Sequence, residues 1–124
     1  MNAGVARNFA KRNPPMTIDE ILLQTKDLGI YEHRSKNDEY CELVFYSKDL
    51  NSWYDILSSA LGEPRKPSGT APTQSDLDLT SRTGGIRINQ TLFEKNFGGE
   101  TIIAKIWPWD DGEHLTLKMA VLFN

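Results

Sequence analysis

The strongest constraint on this chain is the pair Asp111-Gly112, set between two runs of alternating apolar residues, 101–109 and 114–123. An Asp-Gly pair suits the centre of a two-residue turn, where both backbones take positive φ and the flanking strands fold back on each other. A turn of that length fixes the pairing. Trp109 faces His114, Pro108 faces Leu115, Trp107 faces Thr116, Ile106 faces Leu117, Lys105 faces Lys118 and Ala104 faces Met119. Side chains alternate across a strand, so the pairs sort onto two faces. One face collects Ile102, Ala104, Ile106, Pro108, Leu115, Leu117, Met119 and Val121. The other collects Lys105, Trp107, Trp109, His114, Thr116 and Lys118. A slip of one residue would mix the two sets, which argues for this register.

The rest of the chain reads as α-β-β-α-loop-β. Thr17 and Glu20 have capping-box spacing, which predicts a helix from there to about Leu28, with Gly29 in the left-handed position past its end. A short strand, 30–34, a turn at 35–38 and a strand at 39–47 follow. In the second of these Cys41, Leu43 and Phe45 share one face, and the other face is partly apolar too, which places the strand inside the sheet. Trp53, Ile56, Leu57, Ala60 and Leu61 form one helical stripe, closed by Gly62 and Pro64. Residues 63–85 carry loop chemistry with one short helix at 73–81. A strand at 86–96, with Thr91 and Phe93 toward the core and Leu92 and Glu94 away from it, leads through Gly98-Gly99 into the hairpin. The expected fold is α+β: a single antiparallel sheet of about five strands, ending in a three-stranded meander, with two main helices on one face.

A chain of 124 residues is one domain. Its single cysteine permits neither an internal disulfide nor a cysteine-based zinc site, and no apolar run reaches membrane-spanning length. These features, with no secretory leader, point to a cytoplasmic protein. Residues 1–15 carry Arg7, Lys11 and Arg12 without an acid and read as a flexible basic leader to a domain at 16–124. With a total of −3, the remainder is −6, a balance that argues against nucleic acid as a partner.

The segment 43–50, Leu-Val-Phe-Tyr-Ser-Lys-Asp-Leu, followed by Trp53-Tyr54 and Leu61-Gly-Glu-Pro64, resembles the opening of one module of the glyoxalase-like, or vicinal oxygen chelate, fold. The resemblance implies a βαβββ core starting at Cys41. It would also imply paired modules with His and Glu metal ligands on the strands, and no such ligands can be placed here. Fold analogy does not carry chemistry by itself.

The candidate site is the face away from the core: Trp107, Trp109, His114, Lys105 and Lys118. Two indoles there need cover, either from the chain itself, by the N-terminal segment or the long loop, or from a partner. Lys105 opposite Lys118 calls for an acid between them, with Glu42 or Glu94 in reach. Arg82 and Arg87, flanking the glycines at 84 and 85, could bind an anion. The acids at 110–113 are turn chemistry and fit neither a calcium loop nor a zinc motif. His33 reads as solvated and Cys41 as a buried, inert thiol. No nucleophile is positioned beside His114, and neither a cofactor nor a metal is implied. The sequence therefore predicts a non-enzymatic interaction module whose aromatic and basic sheet face meets a protein partner or a second copy, with no membrane role. The alternative is a small-ligand-binding protein or enzyme in which the 63–85 loop closes over the tryptophans.

Overall fold

The computed structural model describes residues 16–124. The basic leader expected at 1–15 lies outside the described residues. Five strands form one antiparallel sheet: β1 (Ile30–Asn37), β2 (Tyr40–Tyr46), β3 (Thr91–Asn96), β4 (Glu100–Pro108) and β5 (His114–Phe123). Their spatial order is β1-β2-β5-β4-β3, so β5 runs down the middle and joins the first hairpin to the C-terminal meander. The β4–β5 register is the one the Asp-Gly turn dictates: Pro108 pairs with Leu115, Trp107 with Thr116 and Lys105 with Lys118. The Trp109 amide then donates to the His114 carbonyl, and Gly112 takes φ +72°, but the turn differs from the expected one: the Gly112 amide closes on the Trp109 carbonyl, which centres the turn on Asp110 and Asp111, and Asp111 does not take positive φ.

Two helices, α1 (Ile18–Leu23) and α2 (Leu50–Leu61), pack on one face. The capping box at Thr17 and Glu20 is formed. Ile18 and Ile21 from α1, and Trp53 and Leu57 from α2, meet Cys41, Leu43, Phe45, Phe93, Ala104, Leu117 and Met119 of the sheet. Trp53 is wholly buried and stacks on Phe45 with ring centroids 4.7 Å apart. Burying an apolar side chain of this kind contributes about 2–3 kcal/mol by area alone, so this stripe anchors α2.

Four boundaries differ from the sequence reading, each for a local reason. Helix α1 stops at Leu23, where Thr25 turns its hydroxyl back onto the Leu22 carbonyl and ends the ladder. Gly29 is not left-handed; a Cβ there would come within 3.3 Å of the Tyr46 ring, so the glycine serves close approach. Strand β1 continues through Asn37, because the polar run 35–37 lies on an edge strand with its side chains in water. Strand β3 begins only at Thr91, since Ile86 belongs to the covering loop.

Residues 62–90 fold back over the other face of the sheet and carry α3 (Gln74–Leu79), capped by Thr73 and Asp76. The loop is fastened at its neck: the Lys66 and Leu92 amides and carbonyls exchange hydrogen bonds, and the Gly69 amide donates to the Ile88 carbonyl. Ile86 packs with Leu92, Ile103 and Ala120, and Leu79 leans on the same group. The sheet is thus sandwiched, with helices α1 and α2 on one side and this loop on part of the other.

Candidate functional site

The face away from α1 and α2 divides into a covered end and an open end. At the covered end Lys105 is only 2% exposed, and its Nζ donates to the carbonyls of Thr83 at 2.6 Å and Gly85 at 2.8 Å. Gly84, at φ +95°, crosses directly above; a Cβ there would stand 3.6 Å from the Lys118 Nζ and 3.9 Å from the Lys105 Nζ. Burial pulls the Lys105 ammonium down to about 8, and neighbouring Lys118 pushes the same way, against Glu42. Of the two acids in reach, Glu42 pairs opposite Lys118, whereas Glu94 accepts from Arg65. Lys105 is therefore a clasp for the loop, not a surface cation. Lys66 plays the same part at the neck. It is 1% exposed and donates to the carbonyls of Pro67, Ile88 and Gln90, while burial lowers its pKa. Two buried ammonium groups thus hold one loop by its backbone carbonyls, which offsets a desolvation that would otherwise expel them.

Arg65 completes the fastening with bonds to Asp76 at 2.6 Å, Glu94 at 2.8 Å and Ser75, which ties α3 to β3. Against burial, the Thr73 amide and then the Arg65 guanidinium hold the Asp76 carboxyl below its ordinary range.

The open end lies beside the Asp111-Gly112 turn. Trp109 and His114 stand together, ring centroids 5.2 Å apart, and are joined by two residues the sequence reading left out, Tyr31 and Tyr46. Tyr31 sits at the centre, edge-on to Tyr46 at 5.9 Å and to Trp109 at 6.0 Å, and remains 50% exposed. It reaches this place because β1 bulges between Ile30 and Glu32. The Arg34 guanidinium lies over the Trp109 ring at 5.4 Å and pairs loosely with Glu32 and Glu42 at 3.4 and 3.6 Å. Trp109 donates its indole N–H to Thr116, and Val44 and Thr116 are sealed beneath the rings. Trp107 is half-buried, with the Lys118 ammonium 6.0 Å from its ring. His114 Nδ1 is 2.6 Å from the Asp111 carboxylate, which the Glu113 amide, then His114, hold below the usual carboxylate range.

The expected site residues therefore part company. Trp109 and His114 belong to the open cluster. Trp107 and Lys118 bridge the two ends, and Lys105 is covered. Arg82 is exposed and lines an open groove of about 680 Å³ at the far end of the sheet, beside Tyr40 and Leu122. Arg87 is exposed at the start of a turn closed by Gln90. Tyr31 and Arg34 would fall on opposite faces of a regular strand, and the irregularities of β1 bring both onto the tryptophan. Burial pushes the Cys41 thiol up to about 11, which keeps it protonated and unreactive.

Among the described residues no three metal-ligating side chains converge, and no hydroxyl or thiol is hydrogen-bonded to His114. No helix among them is long and apolar enough to cross a membrane. No family model, no curated protein and no solved structure matches this chain.

Proposed function

We propose that this chain is a non-enzymatic interaction module that docks a second copy of itself through the open aromatic end of its sheet. The observation that carries the reading is Tyr31, a half-exposed ring at the centre of Trp109, His114 and Tyr46, which the chain's own loop leaves uncovered. Tyrosine, tryptophan and arginine are the residues on which protein contacts concentrate their binding energy. The rim holds both signs of charge, Arg34 and Lys48 beside Glu32, Glu42 and Asp111, so two copies of the patch can meet without net repulsion. The exposed edge strand β1 runs alongside, but its two bulges and its charges oppose edge-to-edge pairing, which favours a side-chain contact over strand addition.

A ligand held between the loop and the tryptophans is less well supported, because Ile86 and Leu79 fill the loop's underside and Lys105 occupies its carbonyls. Sedimentation from low micromolar to submillimolar concentration tests the reading. The chain should associate reversibly, and Tyr31→Glu should abolish the association while leaving the thermal transition in place. A chain that sediments as a monomer throughout overturns it.

A further inference from the structure

Beneath the opposite face, a pocket of about 290 Å³ opens between the start of α2, the neck of the loop and the hairpin end of the sheet. Leu50, Ile106, Pro108 and Leu115 make its walls, and no charged side chain lines it. Ser68, Asn89, Thr91 and Tyr54 are its polar lining, and the Ser68 hydroxyl is already spent on the Asn89 carbonyl at 3.3 Å. Thr91 is 93% buried by its 7% exposure, and its hydroxyl takes part in no hydrogen bond among the described residues. Tyr54, held edge-on against Phe93 at 5.4 Å, also has a hydroxyl with no partner among them. The Thr91 hydroxyl is open to the pocket, not sealed off, and a core position on β3 could as well have carried valine. The threonine thus leaves an unused donor and acceptor in a mostly apolar hollow, the usual design of a small-molecule site.

We propose that this pocket binds a small, neutral, largely apolar molecule, about one fused ring pair in size, that makes a single hydrogen bond to Thr91. Size follows from volume: a cavity of about 150 Å³ accepts one benzene ring, and this one is about twice that. Neutrality follows from the walls, since a carboxylate or ammonium would enter with no counter-charge. Two prolines at the rim, Pro67 and Pro108, hold the mouth rigid, so the site is formed in advance. The site lies on the face opposite Tyr31 and Trp109, so binding there is independent of self-association.

Indole and indene share a shape, but only indole carries an N–H that can donate to the threonine oxygen. Amide NMR titration of the intact chain with each probe provides the test. Indole should saturate and shift the amides of Leu50, Thr91, Ile106 and Leu115. Indene should bind at the same place about three- to tenfold more weakly, the span of one net hydrogen bond. Thr91→Val should bring the two probes to equal affinity, and a charged analogue, indole-3-carboxylate, should not bind. If Thr91→Val does not fold, the indole-to-indene ratio of the unaltered chain decides. No saturation by low millimolar indole, equal affinity of the two probes for the unaltered chain, or shifts confined to the Tyr31 and Trp109 cluster would each overturn the proposal.

Discussion

The buried ammonium of Lys105 makes the covering loop's attachment measurable by pH. In the unfolded chain a lysine titrates near 10.5, and in the fold Lys105 titrates near 8, so the unfolded chain holds the extra proton between those values. Stability must then rise with pH across that window, because the folded state is relieved of a charge it holds at a cost. One pKa unit corresponds to about 1.4 kcal/mol, so between pH 8 and 9 the gain from this group alone is about 1 kcal/mol. The Cys41 thiol, raised from 9.0 to about 11, works against it, since the folded state keeps that proton as the unfolded chain loses it. Comparison with Lys105→Met cancels the cysteine, which is the same in both proteins. Urea unfolding at pH 7, 8 and 9, as set points, should show the unaltered chain gaining about 1 kcal/mol over the variant from pH 8 to 9. A difference that stays constant with pH would refute the reasoning: the ammonium would not be desolvated, and the Thr83 and Gly85 carbonyls would not be its cage.

Three other outcomes follow from the packing. Trp53→Ala should cost about 3–5 kcal/mol in chemical denaturation, because a fully buried ring stacked on Phe45 leaves a cavity that α2 cannot close. Ser58→Ala should raise stability by about 0.5–1 kcal/mol in the same assay, since the Ser58 hydroxyl is buried without a partner and alanine is the better helix former. Arg65→Leu should loosen α3 selectively, seen as faster amide exchange at 74–80 with exchange in β4 and β5 unchanged, because Asp76 and Glu94 lose their shared cation.

The sheet was legible where the sequence carries its own ruler. The alternation on either side of Asp111-Gly112 rejects every shifted pairing, so the β4–β5 ladder follows residue by residue, even though the turn itself is centred one residue earlier, on Asp110 and Asp111. The α2 stripe was legible for the same reason, with a period of 3.6 closed by Gly62, which takes φ +87°. The covering loop was not. Its attachment depends on lysines at 66 and 105, and a lysine's ordinary place is the surface. Only backbone carbonyls brought from residues 67, 83, 85, 88 and 90 make those burials tolerable, and backbone acceptors leave no trace in sequence. The open cluster was half legible. Trp109 and His114 came from the hairpin register, while Tyr31 and Arg34 arrive through bulges that shift β1 against its neighbour, and a bulge has no fixed signature in so polar a strand.

The docking claim meets its most direct test in a mixture of two differently isotope-labelled copies of the chain at submillimolar concentration. Filtered NOE spectra should show the Tyr31 ring of one copy against Trp109 or Tyr46 of the other, together with a solution mass twice the 14.1 kDa of the single chain. A mass of 14.1 kDa with no contact between copies would contradict the account.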